Sequence, residues 1–124
     1  MKSPYRYRNL TYKITDQTEL FFTVEFLSDG NAGVTNINIP GMENVEIVDA
    51  GTKRLGLAAD LKGRQIISFS NIYNVVPEET EIAVQFKINE TIIAYAQPTQ
   101  LEQPHNNLKS VTERPEIVLF ITLE

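Results

Sequence analysis

The side chains in this sequence that could do chemistry are few and scattered. His105 is the single histidine and lies in the loop Pro104-His105-Asn106. A general base or a nucleophilic triad needs a positioned partner, and the sequence marks none. It reads as an exposed loop residue. Glu78, Glu79 and Glu81 crowd together after Pro77. Paired carboxylates hydrolyse glycosides when they face each other across a bond, whereas carboxylates crowded behind a proline suit a solvated turn. Asp29-Gly30-Asn31-Ala32-Gly33 has the flavour of a calcium loop, but such a loop needs glycine sixth and glutamate twelfth. Val34 and Pro40 occupy those places, so the stretch reads as a turn. Gly56 to Gly63 is no phosphate cradle, because Gly63 is followed by Arg64-Gln65 and not by Lys-Ser or Lys-Thr. The chain has no cysteine, hence no thiolate metal site and no disulfide frame. The expectation is a protein that is not an enzyme and uses no cofactor and no metal.

Two groups of residues are better suited to binding. Tyr5, Arg6, Tyr7 and Arg8 alternate, with tyrosines on one face of a strand and arginines on the other. Tyrosine and arginine are enriched at protein interfaces. The same pattern also suits an edge strand whose charges keep it from aggregating. Lys53, Arg54, Lys62 and Arg64 bracket the central glycines and read as a solvated face or as a patch for an anionic partner. Asn9-Leu10-Thr11 and Asn89-Glu90-Thr91 match the N-glycosylation pattern, which matters only for an exported chain.

Charge narrows the partners. Residues 1–15 hold Lys2, Arg6, Arg8 and Lys13 and no acid, so the rest of the chain carries seven basic and 16 acidic residues. An acidic body argues against nucleic acid, where affinity comes mostly from phosphate neutralisation. A basic arm on such a body fits a protein partner or a second copy. No run approaches the roughly 18 apolar residues of a membrane span. Met1 leads into charged and aromatic residues and not into a signal-like apolar run. The expected location is cytoplasmic, with export the alternative if a signal peptide was removed.

The elements that must position these residues read mostly as strands. The 124 residues suit one domain. Period-two alternation recurs and helix signals are nearly absent. Tyr5 to Thr15 is one strand or two short ones. Glu19 to Leu27 is a strand with Leu20, Phe22, Val24 and Phe26 inward. A turn over Ser28 to Gly33 leads to a strand over Val34 to Ile39, which Pro40-Gly41 stops. Val45 to Val48 follows, then a turn at Asp49-Ala50-Gly51 and a short edge strand, Leu55 to Leu57. Ala58 to Lys62 makes one helical turn that Gly63 ends. Gln65 to Val76 is apolar on both faces, which suggests a central or bending strand. Thr80 to Ile88 alternates cleanly with Ile82, Val84, Phe86 and Ile88 inward, turns at Asn89-Glu90, and returns as Thr91 to Ala96. The long polar loop Gln97 to Lys109 precedes a brief Val111 to Glu113 and a last strand, Glu116 to Leu123, with Ile117, Leu119, Ile121 and Leu123 on one face.

Eight or nine short strands without crossover helices point to an all-β antiparallel sandwich, immunoglobulin-like with Greek-key order. A small β-barrel is the alternative. Gly56 to Ile66, GLAADLKGRQI, resembles segments of small bacterial β-sandwich proteins, a likeness that carries no functional residue. The expected function is non-catalytic: a protein-interaction or self-assembling module, an oligomer in the second case. A carbohydrate-binding sandwich is the alternative, with Tyr5, Tyr7, Tyr12, Tyr73 and Tyr95 as stacking faces. A hydrolase working with Asp and Glu alone stands third.

Overall fold

The computed structural model describes residues 5–28, 30–74, 82–96 and 116–124. Asp29, the acidic cluster Glu78, Glu79 and Glu81, His105 with its loop, and Val111 to Glu113 lie outside the described residues.

Two sheets face each other. One has five strands in the order β1 (Tyr5–Tyr12), β9 (Glu116–Leu123), β6 (Gln65–Asn74), β3 (Asn31–Asn38), β4 (Val45–Val48). The other has four, in the order β5 (Gly51–Leu57), β2 (Glu19–Phe26), β7 (Val84–Ile88), β8 (Thr91–Ala96). Among the described residues no strand of one sheet pairs with a strand of the other, which makes the fold a sandwich and not a closed barrel. Among the described residues only β3–β4 and β7–β8 join sequence neighbours within a sheet. The immunoglobulin-like Greek-key label is therefore finer than these pairings support.

The core follows from alternation. Ile117, Leu119, Ile121 and Leu123 of β9 are fully buried, as are Leu20 and Phe22 of β2 and Val84, Phe86 and Ile88 of β7. These inner faces meet in one hydrophobic cluster. Each large side chain so buried stabilises the fold by about 1.5–3 kcal/mol.

One pairing departs from the antiparallel expectation: β1 runs parallel to β9. A parallel pair needs a long connection, and the first and last strands have nearly the whole chain between them.

The phase of β1 also breaks. Tyr7 pairs with Leu119 and Leu10 with Ile121, so Arg8 and Asn9 together oppose Phe120. Asn9 sits at φ 63°, a left-handed conformation that asparagine tolerates. The bulge puts odd-numbered Tyr5 and Tyr7 on the same inner face as even-numbered Leu10 and Tyr12.

The segment from Val48 to Asn74 carries the chain between the sheets twice. Asp49 at φ 61° turns the chain from β4 into β5, which is longer than Leu55 to Leu57 and does form an edge. A second bulge leaves Leu55 and Gly56 both buried, with Gly56 at φ 150°. The single turn α1 (Ala58–Leu61) then closes one end of the sandwich. A helix this short has no stability of its own; it is held from outside. Ala58 N–H donates to Thr18 O at 2.8 Å, Gly63 N–H donates to Leu123 O at 2.8 Å, and Leu61 is fully buried. Gly63 ends the turn at φ 88°.

β6 settles the ambiguity of its two apolar faces. It is the middle strand of its sheet. Ile66, Ser68, Ser70 and Ile72 point inward and are buried, while Ile67, Phe69, Asn71 and Tyr73 point outward. Inside, the Thr35 and Ser70 hydroxyls share a hydrogen bond of 2.7 Å. The Ser68 hydroxyl is buried with no partner among the described residues.

Candidate functional site

The β1 residues singled out for binding are divided between two faces. Tyr5 and Tyr7 pack against the core. Arg6 and Arg8 are exposed on the outside of the five-stranded sheet. The basic arm is thus a strand built into the sheet and not a free tail over residues 5–12. The Arg8 guanidinium lies 4.7 Å from the centre of the Phe120 ring, a favourable cation–π distance. Asn9 of the first glycosylation pattern forms the bulge. Asn89 of the second clamps the β7–β8 hairpin: its Oδ1 accepts from Phe21 N–H at 2.8 Å and its Nδ2 donates to Glu19 O at 3.3 Å.

Burial of the β1 tyrosines has a measurable consequence. Desolvation raises the Tyr7 phenol above its ordinary value of 10.0. Tyr12 is raised by the same cause, partly offset by its hydrogen bond with Thr91. A raised pKa means the folded state holds these protons more tightly than the unfolded state does. Their contribution is whole below pH 10 and is lost as pH climbs through the folded values. The 295 nm absorbance of the folded protein should therefore show two phenols titrating later than free tyrosine, with stability falling above pH 10. Five superimposable normal titrations would contradict it.

The neighbours of Arg6 and Arg8 come from distant parts of the chain. Arg6 pairs with Val118, Val118 with Phe69, Phe69 with Asn36, and Asn36 with Glu46. These five residues form one row across the outer face. The next row runs from Arg8 through Phe120 and Ile67 to Asn38, whose Nδ2 donates to Asn44 Oδ1 at 2.8 Å. At the centre of both rows, Val118, Phe120, Phe69 and Ile67 adjoin on a face that points away from the core. Val118 is only 6% exposed there, and the other three are half-buried. Their signal in the sequence was the second apolar face of Gln65 to Val76 and of Glu116 to Leu123. The two segments are remote in sequence, and only the β6–β9 pairing puts them side by side.

The outer face of the four-stranded sheet has a different character. Lys87 Nζ pairs with Glu25 Oε2 at 3.2 Å, and Gln85 Nε2 donates to Glu25 Oε1 at 2.6 Å. The hydrogen bonds from Gln85 and Lys87 hold the Glu25 carboxyl below its ordinary range. The hydroxyls of Thr23 and Thr52 meet at 2.9 Å. Phe21, Thr23, Glu25, Thr52, Lys87 and Asn89 line a shallow depression of about 470 Å³. Thr23, Glu25 and Lys87 are tied to partners, while Phe21, Ile92 and Tyr95 on the same sheet are exposed.

Of the four cations, Arg54 and Arg64 are engaged within the fold. Lys53 and Arg54 are consecutive on β5, and the Arg54 Nε pairs with Glu19 Oε2 at 3.1 Å. Lys62 and Arg64 flank Gly63. Arg64 donates from Nε to Asp60 O at 3.0 Å and from Nη1 to Pro40 O at 3.1 Å, stapling the Pro40-Gly41 turn to α1. Lys53 and Lys62 are exposed.

Among the described residues no group of three or more His, Cys, Asp or Glu is placed to hold a metal ion. No described helix is long and apolar enough to cross a membrane. Comparison with protein-family models, curated proteins and solved structures finds no match for this chain.

Proposed function

We propose that this protein is a non-catalytic interaction module that engages another protein, or a copy of itself, through the outer face of its five-stranded sheet. One observation carries the reading. Alternation in a sheet normally gives the outer face polar side chains, yet Ile67, Phe69, Val118 and Phe120 adjoin there across β6 and β9. Apolar centres ringed by polar residues are what interfaces present, and Arg6, Arg8, Asn36, Asn38 and Glu46 supply the ring. Tyr5 and Tyr7 belong to this reading as supports that hold β1 against the core.

The carbohydrate-binding alternative has less to stand on. Of the five tyrosines only Tyr95 presents an exposed ring, while Tyr12 is buried and Tyr5, Tyr7 and Tyr73 are half-buried. For a carboxylate hydrolase, Glu19 and Glu25 already pair with Arg54 and Lys87.

A photo-crosslinking side chain tests the proposal. Placed at Phe69 in the protein expressed in cells, it should give protein adducts, whereas the same group at Thr52 on the opposite sheet should give few. Equal yields from both positions, or none from Phe69, would refute the interaction role of this face.

A further inference from the structure

Resting on the reading of this face as an interaction surface, we infer that its partner is a second copy of the same chain, packed face to face about a two-fold axis parallel to the strands. The row Arg6, Val118, Phe69, Asn36, Glu46 is cationic at one edge of the sheet, apolar through Val118 and Phe69, and anionic at the other edge. A two-fold axis running along the strands over β6 keeps strand direction and reverses strand order. Strand β1 of one copy then lies over β4 of the other. Arg6 meets the partner's Glu46, and Phe69 meets the partner's Phe69. An isologous interface makes every such contact twice, so two ion pairs flank one apolar seam. The same operation sets Arg8 over the partner's Asn44, whose amide oxygen can accept from a guanidinium.

Three further observations agree. Arg6 and Glu46 are both exposed, and neither forms an ion pair among the described residues, so each is available across an interface. The operation produces the aligned sheet-on-sheet packing that sandwiches use internally. The size also suffices: five strands at about 4.8 Å and six residues at about 3.3 Å outline a face of roughly 24 by 20 Å. Covering it on both copies removes roughly 1,000 Å² of surface, the low end for a specific complex. The polar strip Asn36–Asn38 opposite Val118 and Phe120 makes this a mixed interface, weaker than an obligate one.

The test is a charge exchange read by sedimentation velocity over a concentration series, with far-UV circular dichroism to show each variant folded. The wild type should dimerise. Arg6→Glu alone and Glu46→Arg alone should each weaken the dimer about tenfold, because like charges then face each other twice. The double variant Arg6→Glu/Glu46→Arg should recover wild-type affinity to within about threefold, since its swapped charges are again complementary. Phe69→Arg should abolish the dimer. If Phe69→Arg does so but the charge exchange rescues nothing, the two-fold arrangement is wrong while the surface is still an interface. A dimer indifferent to Phe69→Arg removes both the arrangement and the role of this face in it. A wild type that stays monomeric at every concentration overturns the second copy as partner, and crosslinking from Phe69 then decides whether the face binds another protein.

Discussion

Replacing Gly33 with alanine should lower the stability of this protein by about 3 kcal/mol or more, the upper part of the range for overpacking. The reason is space and not backbone conformation. Gly33 pairs with Ile72 across β3 and β6, and a Cβ on it would lie 2.3 Å from Asn71 O and 3.0 Å from Ile72 Cα. Those are backbone atoms of the central strand of the sheet, so relief requires parting β3 from β6. The site is pinned from the other side as well: Gly33 N–H donates to Asp49 Oδ1 at 3.0 Å and Asp49 N–H donates to Gly33 O at 2.7 Å. Strand propensity alone predicts the opposite sign, since alanine in a strand is favoured over glycine by about 0.5–1 kcal/mol. Gly63→Ala is the control. Nothing lies within 4 Å of its Cβ position, but φ is 88°, so only left-handed strain of about 1–2 kcal/mol applies. Urea midpoints should order wild type, Gly63→Ala, Gly33→Ala. Thermal midpoints should fall by about 3–5 °C per kcal/mol for a chain of this length. A Gly33→Ala variant as stable as Gly63→Ala would show that β3 and β6 part at little expense.

Gly33 also shows where local reading stops. In sequence, Asp29 to Gly33 has the composition of a turn, and turn chemistry explains its glycines well enough. The structure starts β3 at Asn31, because Asn31 to Gly33 find partners on Asn74 to Ile72 of β6, about 40 positions away. Elements whose pattern is settled by one face were legible. Glu19 to Phe26 and the described part of Thr80 to Ile88 alternate cleanly, and Leu20, Phe22, Val24, Ile82, Val84, Phe86 and Ile88 are buried as expected, with Phe26 half-buried. So were the single helical turn and its stop at Gly63. The parallel pairing of β1 with β9 was not legible, since alternation has the same period in either direction. Nor was strand order, which depends on contacts between segments and not within them.

The candidate site was half legible for the same reason. Alternation placed Tyr5 and Tyr7 opposite Arg6 and Arg8, and so they stand. A break of Tyr5 to Thr15 into two short strands is one of the two readings its sequence allows, and the physical form of the irregularity is the bulge at Asn9. The companions of the arginines were hidden. Phe69 and Val118 are remote in sequence and adjoin only because β6 and β9 are neighbours. In β6, moreover, the buried side carries Ser68 and Ser70 while Ile67 and Phe69 face outward. Hydrophobicity alone would choose the wrong face of that strand. Ser70 is tolerable inside because the Thr35 hydroxyl satisfies it, and this is knowable only once β3 lies alongside.

Phe86→Ala should cost about 3–5 kcal/mol, as truncating a buried phenylalanine generally does. Phe86 and Phe22 are both fully buried in the four-stranded sheet, with ring centroids 6.3 Å apart and planes tilted by 51°. They are diagonal neighbours, since Val24 pairs with Phe86 and Phe22 with Ile88. The tilted contact contributes about 0.5–1.5 kcal/mol beyond area. A double-mutant cycle with Phe22→Leu and Phe86→Leu should return a coupling of that size. This variant also separates stability from binding. Phe86 points into the core from the sheet opposite the proposed interface, so Phe86→Ala should lower the unfolding midpoint and leave crosslinking from position 69 unchanged while the protein is folded. Phe69→Arg should do the converse, because its side chain points out of the sandwich and an arginine there keeps contact with solvent. Should Phe69→Arg melt as early as Phe86→Ala, then Ile67, Phe69, Val118 and Phe120 would be a second core under cover of the chain itself, and the face would lose its claim to bind anything.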